Sequence, residues 1–175
     1  MSYTEEWFGP QSQQALADLY EKVRSLDGDV VEVGCWQGCS TVALANACWP
    51  ELLHAVDTWQ GSPGEISADL AAGRDVFAEF TANIADATAG NVRPHRMGWR
   101  DYFAEIDRPV KLLHIDAEHT YVEVFDNITA VLPLIVEGGI ICGDDVHHPP
   151  IQQAVLDTLG ADVGVVATLW WWQKC

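Results

Sequence analysis

The sequence predicts a doubly wound α/β domain: a mostly parallel sheet with helices on both faces, three layers in all (α/β/α). Three observations carry this expectation. Short apolar runs alternate with amphipathic helical runs along the whole chain. Several of those runs are nearly continuous in Val, Ile and Leu, as strands buried on both faces require. Carboxylates follow them at Asp57, Asp116, Asp144 and Asp145, where open parallel sheets bind ligands. At 175 residues, 49% hydrophobic and 20% charged, the chain is expected to form one domain over residues 1–175, large enough for its own core.

The elements follow in order. Residues 10–26 read as a helix, with Pro10 in its first turn and Leu16, Leu19, Tyr20 and Val23 on one face. Trp7 and Phe8 precede it as packing residues or as a cover for a ligand. Residues 29–33 form a strand that runs into Gly34-Cys-Trp-Gln-Gly38-Cys-Ser40, and a helix continues to residue 47. A strand, a glycine turn and a helix N-terminus let backbone N–H groups approach a ligand closely. The strand at 52–56 ends at Asp57, 23 positions after Gly34, which suits hydrogen bonding to a ribose diol. Residues 61–73 are small and polar and read as a flexible loop or lid. A helix at 74–87, a strand at 92–97, a loop at 98–101 and a short helix at 102–106 follow. The strand at 110–116 is succeeded by a helix at 120–136, closed by Gly138-Gly139. A strand at 140–143, a helix at 151–159 behind Pro149-Pro150, and a single last strand at 163–172, at or near the sheet edge, complete the chain.

A net charge of −17 with only nine Lys and Arg argues against nucleic acid and against anionic membrane surfaces as partners. No apolar run is long enough to span a bilayer, and the opening residues 1–6 lack signal-peptide features. The five cysteines are odd in number and contain no C-x-x-C, as expected for reduced thiols in a cytoplasmic protein. Cys35 and Cys39 have no second pair to complete a soft-metal site.

Asp116, Asp144 and Asp145 would repel one another at two neighbouring strand ends unless a cation, a proton or a partner relieved them. A hard divalent ion with oxygen ligands does so; the plainer alternative is that they cap loops as Asx-turns. His119 is either a catalytic base or a cap for the helix at 120. His114 belongs to the sheet packing; His147 and His148 either sit in a solvated loop or reach the metal or the substrate. The row Trp170-Trp171-Trp172 would bury one face of a strand and offer the other to a second copy of the chain or to a substrate pocket.

Four stretches together resemble a known family: Val31-Glu-Val-Gly-Cys-Trp-Gln-Gly-Cys-Ser-Thr41, Val56-Asp-Thr-Trp-Gln-Gly61, His114-Ile-Asp-Ala-Glu-His119 and Gly138-Gly-Ile-Ile-Cys-Gly-Asp-Asp145. They are similar to the class I S-adenosylmethionine-dependent methyltransferases of Rossmann-like fold, closest to the small metal-dependent O-methyltransferases of macrocin and catechol type. The resemblance implies that Glu32, Gly34, Cys35, Trp36, Gly38 and Ser40 surround the cofactor's methionine moiety. It implies that Asp57 binds the ribose, and that Trp99 and Arg100 lie near the adenine. It places a Mg2+-type ion on Asp116, Asp144 and Asp145, with His119 where the family has its general base. The family usually has an antiparallel strand pair after the last helix, where only one strand is expected here. The implied activity is methylation of a hydroxyl on a small molecule with neighbouring hydroxyls, a sugar-bearing natural product before a catechol-like phenol. A non-methylating relative of cephalosporin hydroxylase type and a non-catalytic cofactor-binding or assembly module are the alternatives.

Overall fold

Five parallel strands, β1 (Asp29–Val33), β2 (Leu53–Asp57), β3 (Val92–Arg96), β4 (Val110–Ile115) and β5 (Ile135–Gly143), form the body of the sheet. An antiparallel pair, β6 (Gly164–Val166) and β7 (Leu169–Gln173), completes it in the order β3-β2-β1-β4-β5-β7-β6. This computed structural model describes residues 3–5 and 7–175. Residues 1, 2 and 6, part of the opening stretch read for a leader, lie outside the described residues.

Side-chain alternation along the strands sorts the helices onto two faces. Val30, Leu53, Leu112 and Ile140 pack with Leu16 and Leu19 of α1 (Pro10–Val23) and Leu44 of α2 (Cys39–Cys48). Helix α3 (Ile66–Ala72) leads into α4 (Val76–Ala87), whose Phe80 joins Val42, Ala55 and Trp59. Val31, Val33, Leu113 and Ile141 face the other way, toward α5 (Trp99–Glu105), α6 (Tyr121–Val131) and α7 (Pro149–Leu159). The chain winds outward from β1 to β3, then returns to lay β4 on the other side of β1. That reversal opens a crevice at the C-terminal ends of β1 and β4.

Four expectations are corrected. Residues 163–172 are a hairpin rather than one strand, because Ala167 turns the chain in the left-handed region (φ 55) where no Gly or Asn announces a turn. β7 therefore pairs with β5 inside the sheet, Trp170 is core at 1% exposure, and β6 is the edge. The loop expected at 61–73 contains α3, built of good helix formers. The helix expected to reach 136 stops at Val131 and passes through a single 3-10 turn at Leu132–Leu134, since Pro133 offers no N–H to a helix. Gly138 and Gly139 thus lie within β5, where a Cβ at Gly139 would come within 2.8 Å of Ile135 Cγ2. Finally, Trp99 and Arg100 open α5 instead of lying in a loop.

Candidate active site

A cavity of about 770 Å³ occupies the crevice. Its inner wall is the glycine turn between β1 and α2. Gly34 has φ +85, and a Cβ there would lie 2.0 Å from the backbone oxygen of Asp116, so this crossing of β1 and β4 admits only glycine. Asp57, at the end of β2, closes the turn: one oxygen accepts the N–H groups of Cys35 (2.7 Å) and Trp36 (2.9 Å), the other that of Trp59 (2.7 Å). Burial pushes its pKa up, and the three amides pull it back. Gly34, Cys35, Trp36, Ser40, Asp57 and Trp99 all line the cavity.

Three residues of the expected cofactor set lie elsewhere. Glu32 is fully buried in the sheet, on the face of Val30, with Oε1 3.2 Å from His114 Nδ1. Burial opposes charge on His114, but Glu32, with Asp116 and Asp144 nearby, raises its pKa. Gly38 caps α2 behind the lining, against Phe80. Arg100 stacks on Trp99 at 4.2 Å and pairs with Glu123 (2.7 Å) and Asp126 (2.9 Å) on the outside of α6.

The outer half of the cavity holds the carboxylates. Asp116, at the end of β4, His119 and Asp145 offer ligand atoms that all lie within 4.8 Å of one another. Asp145 follows β5 with φ 58, a conformation Asp tolerates, and its Oδ2 lies 2.9 Å from His119 Nε2. That contact is an ion pair without hydrogen-bond alignment. Asp116 Oδ1 lies 3.9 Å from the same nitrogen. On the other side of the ring, Glu65 accepts from the backbone N–H of His119 (3.0 Å) and holds Nδ1 at 2.9 Å. Asp116 and Asp145, then Glu65, outweigh burial and push the His119 pKa up to about 11. In this arrangement His119 is the cation that relieves the carboxylates. Asp144 lines the cavity beside them but stands outside the compact group; it is 6% exposed and its Oδ1 has no partner. Burial and Asp116 raise its pKa. Both halves fit the ligands the sequence implies. The glycine turn leaves room for close backbone approach, and an orphaned buried carboxylate oxygen beside two acidic ligands suits a hard cation.

Three contributors were not foreseen. Glu65 sits in the stretch read as a loop, and nothing in its neighbours marks it. Glu123 could have been found from Thr120-Tyr-Val-Glu123, a capping box in which Thr120 Oγ1 accepts from the Glu123 N–H (3.3 Å); its side chain receives Trp99 Nε1 at 3.1 Å. Glu5 lines the cavity from a strap over the glycine turn, where it accepts from Trp36 Nε1 (3.2 Å) and Arg74 (3.1 Å). Trp7, read as packing or cover, lines the cavity and stacks on Trp36 with centroids 5.5 Å apart.

A doubly wound sheet with a glycine turn, an acid at the end of β2 and a carboxylate cluster in one crevice is the Rossmann-like arrangement, with its ligand crevice at the switch point of the sheet. The chain belongs to the methyltransferase-domain family, whose model matches residues 31–146. Among solved structures, it is similar to the O-methyltransferase NovP (20% identity, 95% of this chain and 80% of that one, TM-score 0.74). It is also similar to CalS11, a TDP-rhamnose 3′-O-methyltransferase of calicheamicin biosynthesis (17% identity, 95% and 81%, TM-score 0.66). TomG of Streptomyces achromogenes, solved with S-adenosylmethionine, shares 20% identity over 95% of this chain and 81% of its own (TM-score 0.68). No curated protein sequence matches. Among the described residues no helix is long and apolar enough to cross a membrane.

Proposed function

We propose that this methyltransferase is an S-adenosylmethionine-dependent O-methyltransferase that uses a divalent cation, Mg2+ or similar, and methylates a small molecule with neighbouring hydroxyls. The observation that carries the reading is the meeting of the glycine turn and the carboxylate cluster in one cavity, with Gly34 packed directly on Asp116. NovP, CalS11 and TomG, all O-methyltransferases, share the fold. A sugar-bearing natural product ranks before a catechol-like phenol as acceptor.

When bound, the donor would offer a methyl group on sulfonium, and Asp116, Asp144 and Asp145 would hold a cation whose positive charge would lower the acceptor hydroxyl's pKa. Transfer would break the methyl–sulfur bond as the methyl–oxygen bond forms, and the hydroxyl proton would need a base from this chain. Were Asp116 and Asp145 engaged as ligands, His119 would keep Glu65 as its partner. Glu65 fixes the proton on Nδ1 and leaves Nε2 free to accept. Trp7, Trp36 and Trp99 exclude water from the reacting atoms, and Asp57 keeps the turn in shape.

One observation favours a second role for His119: its nitrogen belongs to the same compact group as Asp116 and Asp145, as a ligand's would. His119→Gln separates the two roles. If the imidazole is the base, Mg2+ binding by calorimetry persists and turnover falls; loss of Mg2+ binding makes it a ligand. Absence of both S-adenosylhomocysteine binding and Mg2+-dependent turnover would leave the non-catalytic module as the better account.

A further inference from the structure

We infer that the methyl acceptor carries no anionic group: it is a neutral or, better, an aminated hydroxyl compound with a flat apolar body, and not a sugar nucleotide. This rests on the function proposed above and narrows it. Eight carboxylates line the cavity and, among the described residues, no lysine or arginine does. Two of the eight are neutralised from behind, Glu5 by Arg74 and Glu123 by Arg100. Asp57 is held by three amides, and Glu65 faces His119. Asp116, Asp144, Asp145 and Glu118 remain; His119 faces Asp116 at 3.9 Å and Asp145 at 2.9 Å. Glu118 accepts a hydrogen bond from the Thr120 hydroxyl (3.1 Å) and pairs with no cation among the described residues. Asp144 adds a buried oxygen with no partner. A sulfonium donor and a divalent ion offset charge at the centre but leave the rim around Glu118 acidic.

An acceptor bearing a carboxylate or a diphosphate would meet this rim with no fixed cation to receive it, and like charges brought together without a partner are strongly disfavoured. Recognition of a diphosphate normally draws on Arg forks, Lys or a free helix N-terminus. CalS11 shares the fold and acts on TDP-rhamnose, so the fold alone does not decide this point. Part of the cavity's lining is apolar and exposed. Trp7 and Ile66 belong to it while standing 52% and 68% exposed, and Trp7 backs onto Trp36 to give a flat aromatic surface. Large apolar side chains exposed around an acidic centre mark a binding surface for an apolar body next to a polar or cationic head.

The test is calorimetry on the full chain with S-adenosylhomocysteine and Mg2+, using three catechols that share one diol and differ in charge: dopamine, 4-methylcatechol and 3,4-dihydroxybenzoate, with TDP-rhamnose as a fourth ligand. Dopamine is expected to bind tightest and dihydroxybenzoate at least about tenfold more weakly. The gap should narrow between about 0.05 and about 0.5 M salt, as screening requires. Glu118→Gln should narrow it by about threefold at low salt. TDP-rhamnose should not bind measurably. Binding of dihydroxybenzoate or TDP-rhamnose as tight as dopamine overturns the inference. Binding of S-adenosylhomocysteine with no catechol bound overturns its apolar-body part. Failure of S-adenosylhomocysteine itself to bind instead sinks the methyltransfer reading on which the inference rests.

Discussion

The two halves of the cavity are built on opposite principles. At the glycine turn the polar groups are satisfied: Asp57 receives three amides, and Trp59 Nε1 donates to the Trp36 carbonyl at 2.9 Å. At the carboxylate half, Asp144 Oδ1 has no partner, His119 Nε2 is paired without alignment, and the Asp145 side chain is 49% exposed. A fully satisfied network is rigid and gains little from a ligand's donors. An under-satisfied one gains whatever the ligand brings. The first half is therefore a preformed cradle, and the second is where, in the proposed function, cation and acceptor would compete with internal contacts.

Substitutions in the exchanging half should remove chemistry and spare the cradle. Asp116→Asn or Asp144→Asn is expected to lower turnover by about 10²–10³ and to abolish Mg2+ binding, with S-adenosylhomocysteine affinity preserved in the same calorimetric series. His119→Gln should lower turnover by about 10²-fold or more with cofactor affinity again preserved. If either set weakened S-adenosylhomocysteine binding as much as turnover, the division of the cavity would be wrong.

Substitution in the cradle should do the reverse. Gly34→Ala forces a Cβ into the Asp116 backbone, and denaturant unfolding should show a loss of about 2–5 kcal/mol together with loss of S-adenosylhomocysteine binding. A smaller effect is expected from Arg74→Ala, which frees the Glu5 strap. Stopped-flow measurement should find S-adenosylhomocysteine leaving several-fold faster, corresponding to about 1 kcal/mol.

The smallest effect sharpens the contrast from outside the cavity. His54 and His95, stacked across β2 and β3 with nitrogens 3.0 Å apart, both have pKa values lowered from 6.5, chiefly by burial. A histidine whose folded pKa is depressed takes up its proton more readily when unfolded. The contribution of this pair to stability should therefore be constant above pH 6.5 and fall as pH drops below it toward the folded values. The melting temperature should decline by a few degrees, at about 2–4 °C per kcal/mol for a chain of this size. His95→Gln should flatten that decline without altering S-adenosylhomocysteine affinity.

Much of the fold was legible because buried parallel strands announce themselves as apolar runs and helices as periodic ones. Val30–Val33, Leu112–Ile115 and Ile140–Cys142 are such runs, and all are buried. The errors came where local sequence carried no punctuation, as at Ala167, or too much of it, as at Gly138-Gly139, whose glycines serve close packing inside a strand. In the site, Gly34, Asp57, Asp116, Asp144 and Asp145 were readable from their positions at strand ends, and His119 only through the resemblance. Glu32 was misplaced toward the cofactor because strand position alone does not reveal that its partner across β4 is His114.

By itself, then, the sequence determined the layered α/β architecture, the glycine turn and the acidic strand ends, since each follows from local periodicity, backbone freedom or charge. Only the tertiary structure decided that Glu65 grips His119 across 54 residues, that Asp57 spends both oxygens on backbone amides, and that Trp170 is core. Those outcomes depend on which distant side chains meet at the crevice, and no local pattern encodes that meeting.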